Sequence, residues 1–179
     1  MQTRRFTAPL SRPLETARGP IRERRGHLVA VGPEPGDGVE TNGIGEATPL
    51  SGWTESPAAC ASALASGRPA RAVLDGLDPR ETPAARHGVS LALADASSRA
   101  DGRPLAAHLA DGAGLSSPAR SVPVNATIGD GSPTETAAAA SRAVDGGTTC
   151  LKLKVGARSV DADVRRLRAV RDAVGPAVE

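Results

Sequence analysis

The order of apolar and polar positions divides the chain into three stretches with different periods. Near the start, His27, Leu28, Val29, Ala30 and Val31 make an apolar run of strand length. Residues 32–42 are rich in Gly, Pro, Asp and Glu and predict a turn region. Gly43, Ile44, Gly45, Glu46 and Ala47 then predict a strand that pairs back on the first. Residues 3–9 supply a third strand with weaker alternation.

The middle stretch carries helical signals. Ser56 followed by Pro57 predicts an N-cap and a first-turn proline, opening an alanine-rich helix that ends near Gly67. Thr82 and Pro83 repeat the signal. Val89, Leu91 and Leu93 support a helix that reaches Ala100 and is stopped by Asp101 and Gly102. Residues 104–109 predict a last short helix, and the Gly/Ser/Pro-rich residues 111–119 a linker.

The third stretch repeats one unit. Residues 122–128 alternate like a strand. Ser132, Pro133, Thr134 and Glu135 form a capping box with proline at the first helical position, and the helix runs to Val144 before Gly146 and Gly147. Residues 150–155 predict a second strand. Ser159 caps a second helix with Val160, Val164, Leu167, Val170 and Val174 on one stripe, closed by Gly175 and Pro176. Strand, helix, strand, helix implies parallel strands. Two such units are too few for an eight-stranded barrel, which takes about 250 residues. Either a partner supplies the rest or the chain is incomplete.

Composition narrows this picture. Leu, Ile, Val and Phe together make up just under a fifth of the 179 residues, and there is one Trp, one Phe and no Tyr. The net charge is only +2, too low for a disordered chain, so the pattern describes a globular protein with a thin, alanine-padded core. The 22 basic and 20 acidic residues are interspersed, and the densest basic stretch, Arg22 to Arg25, contains Glu23. Without aromatic platforms, this is a solvated surface and not a nucleic-acid footprint. No window approaches the roughly 20 apolar residues of a membrane span. Residues 1–5 lead into no apolar run, so no signal peptide is expected. Cys60 and Cys150 lie far apart without metal-ligand spacing, which fits two free thiols in a reducing cytoplasm.

The candidate chemistry centres on Lys152-Leu153-Lys154. On a strand, Leu151, Leu153 and Val155 share one face and the two lysines the other. In a barrel the leucine face packs on helices and the lysines point inward, near the carboxyl end of the strand, where barrel active sites are built. Their backbones would lie roughly 6.5–7 Å apart. Repulsion at that range, with partial burial, favours a neutral amine, which is a usable general base. A solvated strand edge with lysines on its wet face is the plain alternative. Placement on the second strand of a βα series, just before Gly156, favours the chemical reading.

Several segments carry a family resemblance: Gly45-Glu46-Ala47-Thr48-Pro49-Leu50, Ala92-Leu93-Ala94-Asp95-Ala96 with Gly102-Arg103-Pro104-Leu105, Pro123-Val124-Asn125-Ala126-Thr127-Ile128, and Leu151-Lys152-Leu153-Lys154-Val155-Gly156. In this order and spacing they resemble the muconate-lactonizing subgroup of the enolase superfamily. Thr16-Ala17-Arg18-Gly19 and Pro49-Leu50-Ser51-Gly52-Trp53 look most like its o-succinylbenzoate synthases.

The resemblance implies a fold class: an α+β capping domain over residues 1–120, followed over residues 121–179 by an incomplete (β/α) barrel, its first two βα units. It implies an enzyme that abstracts the proton alpha to a carboxylate, with Mg²⁺ stabilising the enediolate. Lys154 would be the acid/base residue, and Lys152 would tune it and help hold the substrate carboxylate. The implied reaction is a dehydratase step, loss of water from a cyclohexadiene carboxylate in menaquinone synthesis. Dipeptide or N-acylamino acid epimerases, racemases and muconate-type cycloisomerases share the lysine pair and remain alternatives. Arg18, Gly19 and Trp53 fall in the loops that would bind substrate.

The family's three metal carboxylates sit at the ends of the third, fourth and fifth barrel strands. The chain is expected to stop before them, to hold no metal ligand and to be inactive alone, as a non-catalytic fragment would be. Asp161, Asp163 and Asp172 are read as solvated or N-terminal helix charges. Glu46 is read as structural. His27, His87 and His108 do not cluster and are read as surface or helix residues. Cys150 has the lysines' strand parity but no partner to make it a nucleophile. No glycine-rich segment has the spacing of a phosphate cradle.

Overall fold

The chain opens with β1 (Gln2–Leu14) and β2 (Ile21–Val31), which with β3 (Gly43–Ala47) form a sheet in the order β1-β2-β3. The computed structural model describes residues 1–14, 16, 18–33, 42–65 and 67–179. Ala17 and residues 34–41 of the expected turn region lie outside the described residues. β2 and β3 run antiparallel, with Leu28 opposite Glu46 and Ala30 opposite Ile44. β1 and β2 are longer than the apolar runs that predict them. Their extra residues are mostly charged or polar and, apart from the buried Gly26, lie exposed or half-buried, so pairing rather than an apolar pattern makes them strands.

Burial alternates along the sheet. Val29 and Val31 of β2 and Gly43, Gly45 and Ala47 of β3 are buried, while Leu28, Ile44 and Glu46 face out. The buried face packs on α3 (Pro83–Ala100) through Gly88, Ala92 and Ala96. A Cβ on Gly45 would lie 2.7 Å from the Ala92 amide nitrogen. A Cβ on Gly88 would lie 2.8 Å from that of Ala47. Small residues on both sides let strand and helix backbones touch. This is how a chain with few large side chains still excludes water from its core. Asp95 of α3 also accepts a bond from the Ile44 amide at 2.9 Å, tying β3 to the helix.

Three further helices surround this contact: α1 (Pro57–Leu64), α2 (Ala70–Asp75) and α4 (Leu105–Gly112). Ser56 caps α1, accepting from the Ala59 amide as its sequence predicts. Thr82 makes no side-chain cap for α3. That role falls to Glu55, a buried carboxylate that accepts from the amides of Ala84 at 3.1 Å and Ala85 at 2.8 Å. α2 has no cap signal in the sequence. Its carboxyl end is held by Arg86, which donates to the carbonyls of Leu74 and Leu77.

The second compact unit combines residues 13–21 with residues 120–179; the first holds residues 1–12 and 22–119. In the second, β4 (Ala126–Ile128) and β5 (Leu151–Leu153) pair in parallel, with Thr127 opposite Lys152. α5 (Pro133–Asp145) follows β4, and α6 (Val160–Val174) follows β5. The capping box of α5 forms in full between Ser132 and Glu135, and Ser159 caps α6. Both strands are shorter than their alternation predicts. Val122 and Val124 are 74% and 79% exposed, because the ladder extends only as far as its partner.

The apolar stripe expected on α6 is buried only in part: Val170 is buried and Val164 and Val174 are half-buried. Val160 is 78% and Leu167 49% exposed, whereas Asp163, Arg166 and Val170 are buried. Val170 joins Ile128 and Ala140 in a small core flanked by Leu151, Leu153 and Val174. The buried Asp163–Arg166 pair takes the inward positions because it serves the polar strand ends, as described below.

The close approach of β3 and α3 predicts opposite effects for two Gly→Ala changes. Gly45→Ala overpacks the contact and should destabilise the first unit by about 1–3 kcal/mol. Gly112→Ala, in a helix with no atom near the new methyl, should stabilise it by about 0.5 kcal/mol. Chemical denaturation followed by the fluorescence of the single tryptophan, which lies in that unit, reads both.

Candidate active site

β5 brings Lys152 and Lys154 to one end of the parallel pair. Leu151 and Leu153 flank the small core, so by alternation the lysine positions belong to the other face. Lys152 is exposed and Lys154 half-buried. Lys154 lies just past the strand, but its amide still donates to the Ile128 carbonyl at 3.2 Å. Val155 is 57% exposed and does not continue the leucine face.

The carboxyl ends of both strands converge on Arg166, whose side chain is 1% exposed. Its guanidinium donates to the Lys154 carbonyl at 2.9 Å and to the Gly129 carbonyl at 2.7 Å. It also donates to Asp163 Oδ1 at 2.8 Å and to Thr136 Oγ1 at 3.4 Å. Asp130 stands 3.5 Å away and pairs more closely with Arg158, at 2.9 Å. A buried guanidinium needs several acceptors to offset lost hydration. Here two strand ends and two helices supply them.

Asp163 lies in the first turn of α6, as one of its two sequence readings has it, and only the solvated reading is corrected. It is 7% exposed and not a solvated helix charge. Position i to i+3 with Arg166 on one helical turn brings the pair together, a spacing that could have been read from the sequence. Its second oxygen accepts from the Gly156 amide at 2.7 Å. That bond, and then the Arg166 guanidinium, hold the Asp163 carboxyl below the usual carboxylate range. Asp161 and Asp172 are exposed, as read.

The loop with Arg18 and Gly19 groups with the lysine-bearing unit. The Gly19 amide donates to the Thr16 carbonyl at 3.0 Å, and Thr16 Oγ1 donates back to the Gly19 carbonyl at 2.8 Å. Gly19 has φ of 101°, a left-handed conformation that suits glycine. Arg18 is exposed at this turn. Trp53 belongs to the other unit and is 56% exposed. Its loop is closed by bonds from the amides of Trp53 and Thr54 to the Leu50 carbonyl, both 2.9 Å.

Glu46 accepts from the Thr48 hydroxyl, a local structural contact. His27 is half-buried, and its pKa is lowered by burial and by Arg5. Cys60 and Cys150 are free thiols. Burial, the charge of Glu55 and a hydrogen bond to it push the Cys60 thiol up to about 12, so it remains protonated. Among the described residues, no group of three or more His, Cys, Asp or Glu could hold a metal ion. The described residues therefore do not fit a Mg²⁺ centre. Among the same residues, no helix is long and apolar enough to cross a membrane.

One signal lay in the sequence unread. The chain has 20 arginines and 2 lysines, and the lysines are Lys152 and Lys154. Arginine serves wherever a permanent cation suffices. Between the two, a cationic side chain that must give up a proton is better served by lysine.

The fold and the site define a protein built of a small antiparallel sheet with helices and a lysine-bearing βα pair. Residues 135–179 match the enolase C-terminal domain-like family. No curated protein matches the chain. Among solved structures, a dipeptide epimerase from Enterococcus faecalis V583, complexed with Mg and L-Leu-L-Tyr, superposes with a TM-score of 0.78 at 25% identity, over 99% of this chain and 51% of that one. The L-Ala-D/L-Glu epimerase of Bacillus subtilis gives 0.73 at 26% identity, over 99% and 50%. The o-succinylbenzoate synthase of Thermosynechococcus elongatus BP-1, complexed with Mg in its active site, gives 0.70 at 25%, over 99% and 49%. The chain therefore spans about half the length of the structures it matches. The match over residues 135–179 and these structural likenesses are to members of the enolase superfamily.

The state of Asp163 sets an acid dependence. Its folded pKa is depressed, so its stabilising contribution is complete above the unfolded value near 3.9 and is lost as pH falls through the folded value. In an acid titration the Gly156 amide resonance should move with a midpoint below about 3.9. Asp163→Asn should remove that transition and flatten the acid limb of unfolding of the second unit.

Proposed function

We propose that this chain carries the acid/base lysine of an enzyme that removes the proton alpha to a carboxylate, with Lys154 as that base. The observation that carries the reading is the lysine pair. Both lysines of an otherwise arginine-only chain lie together at the carboxyl end of a strand in a parallel βα pair. That is where barrel enzymes place their chemistry. On this reading the two βα units begin a (β/α) barrel, and residues 1–120 form its cap.

Lys154 is half-buried and fixed at its backbone. Lys152, exposed one pleat away, would bind the substrate carboxylate. Arg18 and Gly19 group in the same compact unit, which supports their reading as part of a loop contacting substrate. Trp53 would serve substrate from the cap. The proposal assigns the base to this chain, and no metal ligand.

The reaction proposed first is the dehydration catalysed by o-succinylbenzoate synthases, a lyase step of menaquinone synthesis with Mg²⁺ as cofactor. It rests on residues 16–19 and 49–53 and on the likeness to the Thermosynechococcus enzyme. Epimerisation of a dipeptide is a second reading, favoured by the TM-score of 0.78 to the Enterococcus enzyme. A non-catalytic chain is the third. The substrate is a small carboxylate in all enzymatic cases, and a cytoplasmic location fits them.

Assaying the whole protein on the cyclohexadiene carboxylate and on L,L-dipeptides side by side separates these. Dehydration without epimerisation is expected. Epimerisation alone would replace the first reading with the second, and neither activity would favour the third. Lys154→Gln should lower turnover by about 10²–10⁴-fold, the usual contribution of a general base.

A further inference from the structure

Arg166 occupies a place in α6 where a helix in a βα unit ordinarily turns an apolar side chain to the sheet. It is the largest fully buried side chain among the described residues. An apolar residue of similar volume would serve stability as well or better, because burying an ion pair offsets much of its own attraction. Stability alone therefore gives no reason for a guanidinium here. Its acceptors give one.

The guanidinium grips the Gly129 and Lys154 carbonyls, the first beyond β4 and the first beyond β5. Lys154 is thereby held twice. Its amide bonds the Ile128 carbonyl, as the last rung of the ladder, and its carbonyl bonds Arg166. Two residues on, the Gly156 amide is bonded by Asp163, the carboxylate that also orients Arg166. The backbone from 154 to 156 thus has its direction set by one buried ion pair, after the sheet has ended. The planar fork of arginine can reach two carbonyls and a carboxylate at once; the single ammonium of lysine cannot match that geometry.

We propose that Arg166, oriented by Asp163, is a positioning residue for Lys154. It fixes the direction in which that side chain leaves the strand end. The inference rests on the reading of Lys154 as the base. Placement within a fraction of an ångström is what a base requires, and about 1 Å of drift is worth on the order of 10²-fold in rate.

With two lysines in the chain, ¹³C-lysine labelling gives two side-chain spectra, and Lys152→Arg assigns them. In Arg166→Gln, the Lys154 Cε resonance should shift and its rate of reductive methylation change, while Lys152 and the methyl signals of Ile128 and Val170 hold still. A general loosening would move all of them together. Unchanged Lys154 signals in a folded Arg166→Gln chain overturn the proposal. Should that variant unfold, Asp163→Asn, which retains Arg166 but removes the carboxylate that orients it, must still move Lys154 selectively. Should both unfold, the wild-type chain decides: scalar coupling from the Arg166 guanidinium nitrogen to the Lys154 carbonyl carbon is expected, and its absence refutes the brace.

In the whole protein, Arg166→Gln should lower kcat by about 10²-fold with KM nearly constant. Activity that survives Lys154→Gln would overturn the assignment of the base, while the resonance measurements would still report the brace. The two failures are therefore distinct.

Discussion

A guanidinium with almost no exposed surface must find a partner for nearly every N–H it carries, because each unmet donor away from water costs about 1–3 kcal/mol. In the lysine-bearing unit this requirement organises everything around it. Arg166 draws together the ends of β4 and β5, the start of α5 through Thr136 and the first turn of α6 through Asp163. The apolar core beneath is small, three buried residues with a few half-buried neighbours. Such a core can hold helices against strands, but it cannot specify where two carbonyls point. The directional bonds do that, and they do it at the end of the unit where the lysines lie.

The sheet unit solves a different problem with the same scarcity of large side chains. Its core formers are mostly Ala and Val, so contact is gained by bringing backbones close rather than by filling a wide gap. Gly43, Gly45 and Ala47 on β3 meet Gly88, Ala92 and Ala96 on α3. Polar groups then fix the register of that contact. Asp95 takes up an edge amide of β3, and Glu55 takes up two orphan amides of α3. Both carboxylates lie in segments whose local sequence gives no hint of these partners, since each acts across a long stretch of chain.

On the proposed reading, the likeness to enolase-superfamily structures gives these parts a common purpose, with the lysine pair as its chemical centre. The composition supports that centre from an independent direction. Twenty arginines do the work of fixed charge, in ion pairs, helix ends and the buried brace. The two lysines stand apart as the only side-chain amines, a group that in general yields a proton more readily than a guanidinium does. The chemistry proposed for Lys154 uses that property, and the geometry around it uses the opposite property of Arg166.

Much of the local structure was legible in the sequence, because local signals have local causes. The Ser56–Pro57 start, the full capping box at Ser132 and Glu135, the Ser159 cap and the alternation through Leu151 and Leu153 each follow from side chains bonding or burying within a few residues. The K-x-K placement after a βα unit was legible for the same reason. What tertiary structure alone decided were matters of partnership. Strand lengths were set by the pairing strand, so residues 122–125 alternate without becoming a strand. The cap of α3 was set by Glu55 rather than by the adjacent Thr82. The inward face of α6 was set by carbonyls awaiting donors, which turned Asp163 and Arg166 inward and left Val160 and Leu167 exposed. Periodicity counts apolar residues and is blind to that demand, since an unsatisfied strand end exists only once the strands have met.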